Sequence, residues 1–272
     1  MGRVYERIPA HYQTIIENHP LFFVATAPND SQNGHVNLSP KSSNGGLIML
    51  DDHTLAFLDL TGSGSETSSH VMQNKRITLM LMNTEPNSAP LILRFYGSAS
   101  ILFPNELTME MKNKFNPKLL QDPGFRAVFV VDVHRIQTSC GYSVPYFEFK
   151  GNRNTLIEWG NSKVKQNENG LIDYQIEKNS FSIDGQPSLA QHTNYDKVEK
   201  QQIHAVFQDG FYYGKLMKVN DNHTEFLMNP WFLSIKQKLK AMQPKYREQW
   251  IVPFWCGVVT SICLTKFIQN LK

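Results

Sequence analysis

Six short runs follow one another between Leu21 and Ser139: LFFVATA, HVNLSP, TLAFLDL, RITLMLM, LILRFYGSASIL and RAVFVVDVHRIQTS. They constrain the fold more than any other feature of the chain. Each is rich in β-branched, leucine and aromatic residues and is bounded by Gly, Pro, Asn or Asp, a composition that suits pleated, half-buried strands ended by turns. A sheet of this many short strands hides its edges best by curling, so a closed or nearly closed β-barrel is expected. Two helical stretches interrupt the strands, one over 65–74 with Ser65 at its N-cap, the other over 105–115 with Leu107, Met111 and Phe115 at helical spacing. They do not alternate with strands as βαβ units would, which argues against a doubly wound parallel sheet. The expected class is mainly β with flanking helices (α+β).

Outside this block the pattern is looser. A first helix is expected over 5–18, with Tyr12, Ile15 and Ile16 on one face and Pro20 ending it. After residue 152 the chain reads as a helix (TLIEWGNSKVKQ), a turn (NENG) and a Gly- and Pro-punctuated stretch, NSFSIDGQPSL, that wraps the barrel. Beyond Gln191 it turns polar, apart from a hairpin expected around Asp209 and Gly210 and a helix with Phe232, Ile235, Leu239 and Met242 on one face. The expected division is a barrel domain over 1–190, a polar extension and basic stalk over 191–249, and a terminal apolar segment over 250–268.

That last segment carries no charge from Trp250 to Thr265, and Phe267 and Ile268 extend it if Lys266 snorkels. Its length approaches the ~20 residues of a bilayer span. With Lys236, Lys238, Lys240, Lys245 and Arg247 ahead of it, it reads as a carboxy-terminal anchor to an intracellular membrane that holds the barrel on the cytosolic side. The alternative is a last helix docked on a soluble cytoplasmic protein. The amino terminus has no apolar core of the secretory kind, and Glu6 stands where a myristoylation motif needs Ser or Thr.

Composition narrows the function classes. A formal net charge of +3 spread along 272 residues gives no basic face for nucleic acid. Cys140, Cys256 and Cys263 form neither a disulfide framework nor a zinc pattern, and His35, His53 and His70 lack metal-ligand spacing, so no metal is expected. Cys140 reads either as a redox thiol or as an inert, buried one.

The stretch DLTGSGSETSSH, from Asp59 to His70, is the strongest candidate for chemistry. Small residues from Thr61 to Thr67 let amides and hydroxyls converge on an anion ahead of a helix N-terminus. The same residues also serve simply to turn a strand into a helix, with Gly62 and Gly64 supplying the turn. No lysine follows the second glycine, so this is not a P-loop, and it is not the dinucleotide fingerprint either. In HVNLSPK, Ser39 and Lys41 add a hydroxyl and a point charge at the end of the preceding strand.

Taken in order, HPLFFVATAP, GHVNLSPK, LAFLDLTGSGSETSSHVMQNKRITLM, LRFYGSASI, RAVFVVDVHRIQTSCGYSVP and NSFSIDGQPSL resemble the pyridoxamine 5'-phosphate oxidase-like family, in its branch with TSCGY and SIDG signatures. The resemblance runs from about Glu6 to Leu189. It implies an FMN-binding split β-barrel, here followed by a C-terminal helical tail, and a homodimer with FMN in the groove between two barrels. Residue by residue it implies that Lys41, Thr61 and Ser65 hold the phosphate end, with Ser39 and Thr67 beside them. The family's basic pair is Glu66 and Thr67 here, and its later flavin-contacting motif is replaced by Leu91 and Ile92, leaving Arg94 nearby. These departures imply weak FMN binding or a different planar anion. Two functions follow: an FMN-dependent oxidoreductase-like protein of unassigned substrate and catalytic residues, or a non-catalytic ligand-binding or scaffolding barrel tethered to a membrane.

Overall fold

The computed structural model describes residues 2–30, 32, 34–86 and 88–190, together with the backbone of 203–208 and 211–216. The chain divides into two units, Met1–Met217 and Lys218–Lys272, and the described residues belong to the first. The boundary expected at Gln191, the basic stalk helix and the anchor segment 250–268 lie outside the described residues. Among the described residues no helix is long and apolar enough to cross a membrane.

Eight strands form one antiparallel sheet: β1 (Val4–Tyr5), β2 (Leu21–Thr26), β3 (Asn37–Ser42), β4 (Leu47–Met49), β5 (Thr54–Leu60), β6 (Arg76–Met82), β7 (Ile92–Leu102) and β8 (Phe125–Ser139). Their order is β3-β2-β6-β7-β8-β5-β4, with β1 added on β8. All six runs read from the sequence are strands. The sheet is a curled, nearly closed split barrel with flanking helices, the class expected.

Register shows how the curl is filled. Phe22 pairs with Lys41, Val24 with both Ser39 and Leu79, Leu79 with Phe95, and Phe95 with Ile136, so these side chains share the inner face. Phe22 of β2 meets Phe57 of β5 edge-on at 5.6 Å between ring centroids, and Phe57 stacks on Phe129 of β8 at 4.8 Å. A contact between β2 and β5, with β6, β7 and β8 between them in the sheet, requires the sheet to bend back on itself. Fully buried rings of this size each contribute roughly 2–3 kcal/mol over the exposed state, which holds the curl closed.

A second core lies on the other face of β5 and β8, where Ile48, Ala56, Leu58 and Val128 pack against Leu107, Phe115 and Leu119. The last three residues come from the segment that contains α3 (Met109–Lys114) and α4 (Pro117–Leu120). In place of the helix expected over 105–115 there are a 3-10 turn over Pro104–Glu106 and the short α3, capped by the Thr108 side chain; α4, capped by the Asn116 side chain and opened by Pro117, follows beyond it.

The amino-terminal expectation is corrected in the same way. In place of a helix over 5–18 there is strand β1, a 3-10 turn over Ala10–Tyr12 after Pro9, and a short helix α1 (Gln13–Asn18). Val4 and Tyr5 pair with Gln137 and Ile136, so the sheet claims the first residue of the expected helix, while Tyr12, Ile15 and Ile16 stay in helical turns.

Helix α2 (Glu66–Asn74) buries Val71 in the barrel core. Helix α5 (Thr155–Gln166) matches the expected segment, and α6 (Gly170–Asn179), which was not foreseen, follows it. The expected hairpin is present as β9 (Ile203–Gln208) and β10 (Phe211–Leu216), with Gln208 opposite Phe211 across Asp209 and Gly210.

Candidate functional site

Alternation along β3 decides which side chains reach the barrel mouth. Asn37, Ser39 and Lys41 fall on the inner face opposite Thr26, Val24 and Phe22, while Val36 and Leu38 are exposed. Asp59 lies on the same face of β5 as Leu55 and Phe57, at the end of the core, and is buried. Lys41 Nζ reaches across the mouth and donates to Asp59 Oδ1 at 2.9 Å.

A second cation joins them that the sequence reading missed. Asp59 pairs with Ala127 and Leu60 with Phe125, which leaves Arg126 as the extra residue of a β-bulge. The bulge turns Arg126 toward Asp59, where Nε donates to Oδ2 at 2.7 Å. The guanidinium also donates to Asn179 Oδ1 at 2.8 Å and to the Gly64 carbonyl at 3.0 Å. Burial alone would raise the Asp59 pKa, but Arg126 and then Lys41 overcome it and bring the carboxyl down to about 2.

Ser39, Lys41, Asp59, Gly64, Ser65, Glu66, Thr67 and Arg126 border one hollow of about 30 Å³. Four of the five expected residues, Ser39, Lys41, Ser65 and Thr67, are thus brought together. The fifth, Thr61, stands apart and is buried. Its hydroxyl donates to the Gly124 carbonyl at 2.8 Å and accepts from Gln175 Nε2 at 2.8 Å.

The loop itself differs from an anion cradle in polarity. The Gly64 carbonyl accepts from Arg126, and the Gly62 carbonyl accepts from Asn179 Nδ2 at 2.9 Å. Neither glycine has a positive φ, so neither is demanded by the backbone conformation. Ser65 occupies the N-cap position of α2 without a side-chain cap, and its hydroxyl donates instead to the Phe181 carbonyl at 2.8 Å. Glu66 takes the acceptor's place at the helix start: its carboxylate receives the Ser65 amide at 3.1 Å and the Ile183 amide at 3.3 Å.

The SIDG stretch accounts for these partners. Segment 180–188 folds over the start of α2, with the Ser68 and Ser188 hydroxyls bonded at 2.8 Å and Ser69 Oγ donating to the Gln186 carbonyl at 3.3 Å. The wrapping role expected of NSFSIDGQPSL is present, directed at α2. The polar network also runs inward. Asn37 Nδ2 donates to Thr67 Oγ1 and to Thr26 Oγ1, Ser39 donates to Asn37 Oδ1, and Thr26 Oγ1 bonds the buried His70 Nδ1 at 3.0 Å.

Gln175 and Asn179 come from α6, which was missed because LIDYQIEK mixes its apolar residues with charge. The signal available was Leu171 and Ile176, both buried in the structure, flanked by residues that favour helix. Arg94 lies on the outer face opposite Met80 and Gln137, bonds Ser139 Oγ at 3.0 Å, and does not border the hollow. Cys140 is a free thiol and exposed, which corrects the buried alternative.

A curled antiparallel sheet with a polar mouth and a serine-rich helix start defines the split-barrel class of fold. The sequence profile of the pyridoxamine 5'-phosphate oxidase family matches residues 8–140. The pyridoxamine 5'-phosphate oxidase family protein ustO of Aspergillus flavus is 30% identical over 203 residues, covering 67% of this chain and 78% of that protein. The chain belongs to this family. Among solved structures, HupZ from Group A Streptococcus is 20% identical with a TM-score of 0.35, covering 47% of this chain and 92% of its own. An FMN-binding protein from Syntrophomonas wolfei is 16% identical with a TM-score of 0.34, covering 47% and 81%.

The residues present do not fit the phosphate group of FMN. Lys41 and Arg126 are both engaged by buried Asp59, Glu66 adds a second carboxylate, and the Thr61 and Ser65 hydroxyls donate to backbone carbonyls. A doubly charged ester entering there meets two cations already offset by two anions.

Proposed function

We propose that this chain is an oxidoreductase-like member of its family that takes a planar, flavin-class ligand at the barrel mouth. One observation carries the reading: Ser39 and Lys41 of β3, Ser65 and Thr67 at the start of α2, and Arg126 of β8 converge on one hollow. In flavoproteins the ring carries the electrons, and the protein binds and orients it.

The reading includes a homodimer. Phe23, Pro40 and Met80 share the outer sheet face with Arg94, Ala25 lies there beside Leu38, and Val36 and Leu38 are exposed. A second copy would cover this apolar surface. Light scattering at the mass of two chains supports the dimer, and a monomer removes it.

The second reading, a ligand-binding barrel without catalysis, is favoured by Asp59, which holds both cations of the hollow. Purified full-length protein separates the two. A bound flavin that is bleached by a nicotinamide donor and recovers its colour in air supports the oxidoreductase. A bound flavin that stays yellow under the donor supports the binding protein. A colourless protein that takes up neither riboflavin nor FMN removes the flavin altogether. The proposed anchor over 250–268 is tested separately, by whether its deletion moves the protein from the membrane fraction to the supernatant.

A further inference from the structure

We propose that Glu66 makes this site selective for a flavin whose side chain ends in an uncharged hydroxyl, against the same flavin ending in a phosphate. The inference rests on the flavin-class reading above and specifies which end of that ligand's side chain the hollow accepts.

Three observations converge. The formal charges bordering the hollow cancel, with Lys41 and Arg126 opposed by Asp59 and Glu66. Lys41 and Arg126 each spend a donor on buried Asp59, at 2.9 and 2.7 Å, so an incoming dianion meets cations whose charge is already offset. Beside the hydroxyls of Ser65 and Thr67, the loop adds acceptors. The Gly64 carbonyl lies there, and the Glu66 carboxylate holds the amides of Ser65 and Ile183 that would otherwise be offered to a phosphate.

A terminal alcohol suits such a site because one hydroxyl both donates and accepts. It can give its hydrogen to the Glu66 carboxylate or the Gly64 carbonyl and receive one from Lys41. A phosphate dianion has only acceptor oxygens to set against those same acceptors, so its oxygens and Glu66 repel. Segment 180–188 fixes this arrangement, since Ile183 donates to Glu66 and Phe181 receives the Ser65 hydroxyl.

The test is equilibrium titration of the full chain with riboflavin and with FMN, followed by flavin fluorescence, on three proteins: the wild type, Glu66→Gln, and the double variant Glu66→Arg with Thr67→Lys. Circular dichroism confirms that each is folded. The expected result is that the wild type binds riboflavin about ten-fold or more tighter than FMN. Glu66→Gln should narrow that ratio about ten-fold, the scale of one charged hydrogen-bond partner, and the double variant should reverse it. FMN binding the wild type as tightly as riboflavin overturns the selectivity and leaves the flavin reading standing. So does a wild type that takes no riboflavin while the double variant takes FMN. If neither flavin binds any of the three proteins, the flavin reading falls and the selectivity falls with it.

Discussion

Lys41 on β3 and Asp59 on β5 meet at 2.9 Å although β2, β6, β7 and β8 lie between their strands in the sheet. The pair is the polar counterpart of the Phe22–Phe57 contact beneath it, and Arg126 completes it from the bulge in β8. Asp59→Asn should leave two cations facing each other at the barrel mouth and destabilise the fold by about 3 kcal/mol. Lys41→Met should cost less, because Arg126 keeps the carboxylate paired. Urea denaturation of the two variants checks the order. Equal midpoints would show that the pair does not hold the mouth together.

The same carboxyl sets an acid limit. Its folded pKa of about 2 lies below its ordinary value of 3.8, so the unfolded chain binds the proton first as pH falls. The stabilisation is complete above the ordinary value and is lost as pH drops toward 2. At about 1.4 kcal/mol per unit it amounts to roughly 2 kcal/mol. Melting temperatures from pH 5 to pH 2 should therefore fall less steeply in Asp59→Asn than in the wild type.

Thr61 was expected to open a phosphate loop, and its surroundings assign it a structural task. Thr61→Val removes the bonds to the Gly124 carbonyl and from Gln175, at a cost of about 1–2 kcal/mol. Flavin titration of this variant should give the wild-type affinities, while its urea midpoint falls. A large loss of affinity with unchanged stability would return Thr61 to the site.

Gly97 sits where the register between β7 and β8 shifts, and a Cβ there would lie 2.4 Å from the Asp132 carbonyl oxygen and 2.9 Å from Val131 Cγ1. The nearer obstacle is the backbone of the central β8 strand and cannot swing aside. Gly97→Ala should therefore destabilise by about 2 kcal/mol, whereas Gly62→Ala, with nothing within 4 Å of the added atom, should change stability little. Thermal melts of the two alanine variants make the comparison.

The strands were legible because alternation and turn residues are local, and the same alternation puts Asn37, Ser39 and Lys41 on one face. What could not be read was anything that depends on the curl. Arg126 looks like the first residue of a strand, and only the bulge against Asp59 and Leu60 turns it inward. Glu66 read as a lost cation, whereas its carboxylate takes up amides from its own loop and from a segment more than a hundred residues away. The start of the chain misled for a related reason. Tyr12, Ile15 and Ile16 fit a helical face and keep helical turns, but pairing of Tyr5 with β8 outweighs the first turn of so short a helix.

His70 offers a pH dependence of a different kind. It is fully buried on α2, its Nδ1 bonds Thr26 Oγ1, and its Nε2 has no hydrogen-bond partner. Burial disfavours the imidazolium and lowers the pKa from 6.5, against a partial pull upward from the Asp184 and Glu66 carboxylates. A histidine whose folded pKa is depressed binds its proton more readily in the unfolded chain. Stability should therefore fall as pH drops below about 6.5 and level off once the folded form also protonates. In His70→Gln, which keeps a polar group near Thr26 and cannot titrate, that slope should flatten between pH 7 and pH 5 even if the overall melting temperature is lower. Melting curves of both proteins across this range decide the matter, and parallel slopes would place the pH sensitivity on another group.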